Sequence, residues 1–194
     1  MLKSKSGNVY KEGDLVYEIF LDYYYRDYLN SFVMSYIKEL EDRNELIEDI
    51  NKQAENKSLI FPRVANSLFL SIYGEFEYFL ISVCNVYKKA LNLRIAFNDL
   101  KGEGVIGALD YLDRIVGIDT AKNNKYYEKI THWNKIRNYL VHNAGIIDEK
   151  CLISVSKLNL KYISSFDNNV IALDFNKCKE FIDITQSIQN DLLL

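Results

Sequence analysis

Arg137, Asn138 and His142 are the residues of this 194-residue chain whose types and spacing best suit catalysis. They lie in the run Ile136–Gly145, where apolar residues surround them and a glycine closes the stretch. Histidine, with an ordinary pKa of about 6.5, exchanges protons near neutral pH. Arginine presents a planar cation that binds phosphate oxygens bidentately, and a neutral amide can orient either group. The set therefore suits acid–base chemistry on a phosphate ester.

RNA is the phosphate ester that such a set can cleave without a metal, because its 2′-hydroxyl supplies the nucleophile. The imidazole would move protons, and the guanidinium would stabilise charge that builds on the phosphate. The product would end in a 2′,3′-cyclic phosphate. No zinc, phosphate-loop or dinucleotide pattern is present, since Gly102-Glu103-Gly104 lacks a preceding strand and a third glycine. We therefore expect neither a metal nor a cofactor.

The helix that must carry these residues is predicted over Ala121–Asn143. Its apolar stripe is Ile130, Trp133, Ile136, Leu140 and Ala144. Arg137 falls within that stripe, whereas Asn138 and His142 share the polar side with Asn134. Arg137 and His142 are about 140° apart around an ideal helix, so either the arginine curls round or two copies of the helix meet. A symmetric homodimer would bring two sets of these residues around one cleft.

A central helix is predicted over Phe61–Leu91, with Pro62 in its first turn. It is apolar on nearly every side, and Glu77 falls on an apolar face. A carboxylate there is costly unless it is paired, so we expect a partner, and Arg137 is the candidate. Part of this helix resembles a membrane span, but Glu75 and Glu77 would each cost roughly 2–3 kcal/mol in a bilayer. We expect a buried core helix, with Cys84 in the core and no membrane contact.

The remaining segments complete an all-α prediction. They are a loose arm over residues 1–13, a helical pattern over Leu15–Ile50, a short helix over Val105–Val116, a hairpin from Leu158–Ile163 and Val170–Leu173 around the turn Asp167–Asn169, and a last helix capped by Asp174. We predict a single domain over residues 14–194. It would be an up-and-down bundle of about five to six helices with a small β-hairpin before the C-terminal helix.

The net charge of −3 argues against broad electrostatic affinity for nucleic acid, so any RNA contact requires a local basic patch. Lys122, Lys125 and Lys129 form a ridge on the predicted Ala121–Asn143 helix, with Lys135 further along it. That ridge would hold a phosphodiester backbone, or it is an ordinary solvated helix face. The three cysteines lack Cys-x-x-Cys spacing, which fits a reducing cytoplasm, and the first residues lack the apolar core of a signal peptide.

The Arg-Asn-x-x-x-His arrangement of residues 137–142 resembles the motif of the HEPN superfamily, helical domains many of which are metal-independent ribonucleases. The segment Phe76–Leu80 is similar to that family's second polar position on an adjacent core helix. The resemblance covers roughly residues 60 to 190. It implies that His142 is the acid and base, that Arg137 stabilises phosphate charge, that Asn138 orients them, and that Glu77 and Asn134 support them.

This resemblance implies an endoribonuclease that acts as a toxin or phage-defence effector in a microbe. The implied partners are RNA, a second copy of the chain, and an antitoxin or another defence-system protein. Two alternatives stay open: a non-catalytic HEPN-like module that binds RNA, nucleotide or protein, and a purely structural helical dimer. In structural terms, an ion pair between Arg137 and Glu77 would fix helix packing, and His142 would interact with a helix C-terminus. The other histidine, His132, is predicted to be a surface residue.

Overall fold

The computed structural model of the protein describes residues 60–193, except 101, 103, 124, 166 and 167, together with residue 31. The prediction of a loose arm over residues 1–13 lies outside the described residues. So does the predicted helical pattern over Leu15–Ile50, apart from Ser31, which is helical. The predicted extent of the domain, residues 14–194, therefore lies only partly within them.

The described residues form five α-helices and one β-hairpin. The helices are α1 (Ile60–Ala90), α2 (Gly104–Tyr111), α3 (Tyr127–His142), α4 (Glu149–Lys157) and α5 (Phe175–Leu193), and the strands are β1 (Lys161–Ser165) and β2 (Asn168–Ala172). Short 3-10 turns cover Phe97–Asp99 and Asp119–Ala121, and a π-helical segment covers Leu112–Val116. The predicted helical fold with a hairpin before the C-terminal helix is confirmed.

Helix α1 is the element against which the others pack, because α2, α3, α5 and β2 all contact it. Its bounds lie within one residue of the predicted central helix, and Cys84 is buried as predicted. Burial raises the pKa of the Cys84 thiol to about 12. The segment Pro62–Ala90 is also long and apolar enough to cross a membrane by length and composition alone, a test that core helices of soluble proteins meet as well.

An aromatic cluster joins three helices at the centre of the core. The ring of Phe69 on α1 lies 5.0 Å from that of Trp133 on α3 and 5.0 Å from that of Phe181 on α5. Trp133 and Phe181 complete the triangle at 5.4 Å, and all three side chains are fully buried. Aromatic pairs at such distances add stabilisation to the burial of their area. The cluster therefore fixes α3 against α1.

Helix α3 is shorter than predicted. The expected start at Ala121 is wrong, because residues 119–121 form a separate 3-10 turn and α3 begins at Tyr127. At the other end α3 stops at His142, and Ala144, predicted in the apolar stripe, is exposed with a φ of 51°. The middle of the stripe was correct, since Ile130, Trp133 and Ile136 are fully buried.

Helix α4 was not predicted, and its presence shortens the predicted first strand. The strand begins at Lys161 instead of Leu158, because residues up to 157 are helical and Leu158 is the buried C-cap of α4. The hairpin is antiparallel, with Lys161 opposite Ala172 and Ser165 opposite Asn168. The hairpin prediction was thus correct in type and in position along the chain. It was wrong at its first boundary and at the turn, because Asn168 and Asn169, which were predicted in the turn, are the first two residues of β2.

We expect Phe181→Ala to lower the free energy of unfolding by about 3–5 kcal/mol, because it empties the centre of the aromatic cluster. Urea denaturation followed by circular dichroism measures this change. Ile153→Ala is the control, since Ile153 is 57% exposed on α4 and should change stability by less than about 0.5 kcal/mol. Equal effects of the two substitutions would contradict the central place of the cluster.

Candidate functional site

Arg137 lies on the side of α3 that faces α1, and its side chain is 30% exposed. Its Nη1 donates a hydrogen bond of 3.0 Å to Oδ1 of Asn138. Its Nη2 lies 3.8 Å from Oε2 of Glu77, and its Cζ lies 5.7 Å from the centre of the Tyr73 ring. The guanidinium is thus held on three sides. Since a guanidinium carries five N–H donors, these contacts leave donors for a further ligand.

Glu77 has the partner that its position on the apolar face predicted. It forms the ion pair with Arg137, although both side chains remain partly exposed, at 26% and 30%. The carboxylate also lies beside the first residue of α2, since a Cβ on Gly104 would stand 3.0 Å from Glu77 Oε1. A helix N-terminus favours a nearby negative charge. Glu77 therefore lies between a cation and the positive end of a helix.

Asn134 connects α3 to α1 through Tyr73. The Tyr73 hydroxyl donates a 2.7 Å hydrogen bond to Asn134 Oδ1. Burial raises the pKa of Tyr73 above its usual value, and the charge of Glu77 adds to this while Arg137 opposes it. The tyrosine therefore stays a neutral donor. Asn134 thus orients the aromatic ring over which Arg137 lies, on the α1 side of the helix.

His142 is exposed at the last residue of α3. Within the described part of the chain, no hydrogen bond or ion pair joins its side chain to another residue. The structure brings Arg137, Asn138 and Glu77 into contact and Asn134 into the same network through Tyr73, whereas His142 forms no hydrogen bond or ion pair with any of them. Its separation from Arg137 follows from the angle of about 140° between residues five apart on a helix, while Asn138, four residues before it, lies on its own side of α3.

The predicted lysine ridge does not lie on one helix. Lys122 and Lys125 precede α3, and only Lys129 and Lys135 belong to it. Lys122 forms an ion pair of 2.8 Å with Asp110, and Lys129 one of 3.0 Å with Glu180. The Nζ of Lys125 lies 4.8 Å from the centre of the Tyr126 ring, and Lys135 is exposed. Two of the four charges are therefore balanced by carboxylates.

His132 is not the surface residue that the sequence suggested, because its side chain is only 14% exposed. Its Nδ1 lies 3.0 Å from Oγ of Ser154 on α4, and its Nε2 lies 3.8 Å from Glu128. Serine, histidine and carboxylate together could indicate a nucleophile, but Ser154 is fully buried and no substrate can reach it. The contact joins α3 to α4. Desolvation lowers the pKa of His132, against a smaller opposing effect of Glu128.

Sequence reasoning missed the contact between Tyr139 and Asp148. The Tyr139 hydroxyl donates a 2.6 Å hydrogen bond to Asp148 Oδ1, and the same oxygen accepts a 2.8 Å bond from the backbone N–H of Cys151. Asp148 is thereby the N-cap of α4. An aspartate followed by Glu149 is a helix-start signal that would have found α4.

Among the described residues no group of three or more histidine, cysteine, aspartate or glutamate side chains is placed to hold a metal ion. Comparison with family models, with curated proteins and with solved structures found no match to this chain. The candidate function therefore rests on the geometry of the site.

We expect Glu77 and Arg137 to be coupled by about 0.5–1 kcal/mol in a double-mutant cycle built from Glu77→Gln and Arg137→Gln. The pair is partly shielded from water, which weakens screening of its charges. The control cycle uses Glu128 and Lys157, whose atoms are closer, at 3.2 Å, but whose side chains are 73% and 58% exposed. Urea denaturation should give a smaller coupling for the control. A larger coupling for the control pair would mean that solvent exposure does not determine the strength of these ion pairs.

His132 should make the folded state less stable as the pH falls below about 6.5. The unfolded chain binds a proton at this residue near that pH, whereas the folded chain, with its lowered pKa, binds it only at lower pH. Stability is therefore lost between the unfolded and the folded pKa. Denaturation midpoints from pH 7.5 to 5 should fall more steeply for the wild type than for His132→Gln. Parallel curves would contradict the assignment.

Proposed function

We propose that this chain is a HEPN-like, metal-independent endoribonuclease that acts as a homodimer in the cytoplasm, as a toxin or phage-defence effector. One observation carries the proposal. Arg137 on α3 is restrained by Asn138 and by Glu77 of α1, and the same helix α3 exposes His142. A cation held in place can stabilise developing charge without reorganisation during the reaction. An exposed imidazole can reach a substrate outside the protein.

The proposed reaction begins when His142 accepts the proton of the RNA 2′-hydroxyl. The 2′-oxygen then attacks the adjacent phosphorus, the bond to the 5′-oxygen breaks, and the leaving oxygen takes up a proton. The products are a 2′,3′-cyclic phosphate and a 5′-hydroxyl. Arg137 binds the non-bridging oxygens, where negative charge increases. Two protomers supply two histidines, so each proton transfer can have its own imidazole.

Asn138 and Glu77 act on Arg137 in this proposal and not on the RNA. The 3.0 Å bond from Arg137 Nη1 to Asn138 fixes the plane of the guanidinium. The Glu77 contact, at 3.8 Å, is longer than a direct charge-assisted hydrogen bond of about 2.7–2.9 Å. It therefore holds the cation by charge and leaves its N–H groups free to turn towards a phosphate.

Of the four lysines predicted to bind RNA, two are available to a phosphate without breaking an ion pair. Lys125 and Lys135 are exposed, and neither has a carboxylate partner among the described residues. Lys122 and Lys129 are paired, so they would have to exchange a carboxylate for a phosphate. We expect few phosphate contacts and a shallow dependence of binding on salt concentration. With few phosphate contacts, the affinity for RNA would be modest. The proposed antitoxin or defence partner would control the activity of this enzyme.

Purified protein should cleave RNA in the presence of EDTA and leave cyclic phosphate ends, which mass spectrometry of the fragments detects. His142→Ala should lower the rate by about 10²–10⁴-fold, because it removes the proton carrier. Arg137→Lys should also reduce the rate, since it keeps the charge but loses the bidentate fork.

The matched control is His132→Gln, which removes the only other histidine and should leave cleavage intact wherever the variant is folded. Cleavage that persists undiminished in His142→Ala would exclude the proposed mechanism. RNA binding without cleavage, weakened by Arg137→Ala, would instead identify the chain as a non-catalytic RNA-binding module.

A further inference from the structure

The chain turns sharply directly after His142, at residues 143–148, here called the α3–α4 corner. The backbone N–H groups of Asn143 and Gly145 both donate to the carbonyl of Tyr139, at 3.0 and 2.9 Å. Ala144 and Gly145 have φ values of 51° and 76°, in the left-handed region. Two consecutive left-handed residues end the helix at a defined point. The backbone direction at His142 is therefore set by this turn.

The corner is attached to the hairpin on its other side. The N–H of Ile147 donates to the carbonyl of Asn169, and the N–H of Ile171 donates to the carbonyl of Gly145, both at 2.9 Å. A Cβ on Gly145 would stand 3.3 Å from Leu140 and 3.4 Å from a side-chain carbon of β2. These contacts hold the middle of the corner, and none of them involves the side chain of Tyr139.

A side-chain hydrogen bond links the end of α3 directly to the start of α4. The 2.6 Å bond from the Tyr139 hydroxyl to Asp148 joins the last turn of α3 to the N-cap of α4. Its length is that of a charge-assisted O–H···O⁻ bond, the stronger class of hydrogen bond. The bond raises the pKa of Tyr139 to about 12, and it lowers the pKa of Asp148. Donor and acceptor therefore keep their charge states across the physiological range.

From this geometry we propose that Tyr139 and Asp148 are positioning residues that fix the orientation of the last turn of α3 and thereby place His142. The His142 side chain is exposed and has no hydrogen-bond partner in the described part of the chain, so its position depends on the backbone beneath it. The importance of this placement for cleavage rests on the proposed function. A misplacement of about 1 Å can reduce a catalysed rate by about 10²-fold.

The test uses Tyr139→Phe, which removes the hydroxyl and keeps the ring. Because the chain has two histidines, its imidazole NMR spectrum contains two Cε1–H signals, and His132→Gln assigns them. We expect the His142 signal of Tyr139→Phe to change its chemical shift, while the His132 signal stays in place. In RNA cleavage we expect kcat to fall by about tenfold or more, with KM changed by less than about twofold.

Two further variants separate positioning from general stability. Asp148→Asn keeps a helix N-cap and an acceptor but loses the charge, so its effects on the His142 signal and on kcat should be intermediate. It also provides the measurement if Tyr139→Phe fails to fold. Tyr162→Phe is the matched control, because Tyr162 is 48% exposed on β1 and should leave the His142 signal and kcat unchanged.

A His142 signal with the same chemical shift in the wild type, Tyr139→Phe and Asp148→Asn would overturn the inference, whatever the activity. An unchanged kcat in both variants of an active enzyme would overturn it as well. A wild-type protein that does not cleave RNA would end the proposed function alone, since the NMR comparison would still decide whether Tyr139 and Asp148 place His142.

Discussion

The packing of α3 against α1 is the constraint on which the rest of the structure depends. Its centre is the contact between Phe69 and Trp133, which Phe181 of α5 completes. One turn along α3 from Trp133, the same interface changes from apolar to charged, where Arg137 meets Glu77. Because the aromatic rings fix the distance between the helices, the ion pair has little freedom to separate. The core thereby sets the geometry of the site at its edge.

The candidate site divides into a restrained part and an exposed part. Within one protomer, the Arg137 guanidinium is contacted by Asn138, by Glu77 and by the Tyr73 ring. His142 is carried by the same helix, about 140° further round it from Arg137, and is exposed where the following turn ends the helix. A single protomer therefore offers a cation and an imidazole on different sides. Under the proposed function, the dimer brings the imidazole and the cation of different copies together.

The sequence predicted the fold correctly where apolar residues recur with the period of the helix that they form. The spacing of Ile130, Trp133 and Ile136 indicated the inner side of α3, and all three are buried. The cost of an unpaired carboxylate on an apolar face predicted a partner for Glu77, and Arg137 is that partner. These predictions needed only helix geometry and the free energy of burying charge.

The predictions were wrong where tertiary contacts override the local pattern. Helix α4 has nine residues, and although it buries Cys151 and Val155, it exposes Leu152 and Ile153 and buries Ser154, so these last three residues run against the apolar pattern. Without α4 there was no reason to bury His132, whose partner is Ser154. The lysines before α3 were assigned to it because charged residues with helical spacing do not reveal that the helix begins only at Tyr127, after a separate 3-10 turn at residues 119–121.

The chain contains one tryptophan, and the structure places it at the junction of α1, α3 and α5, four residues before Arg137. Its indole N–H has no hydrogen-bond partner among the described residues, and the ring is shielded from water. Fluorescence excited at wavelengths that tryptophan absorbs and the fifteen tyrosines do not therefore comes from a single emitter, in an aromatic setting without water. Its emission maximum reports on the helix junction that holds the arginine, so the molecule carries its own optical probe of that contact.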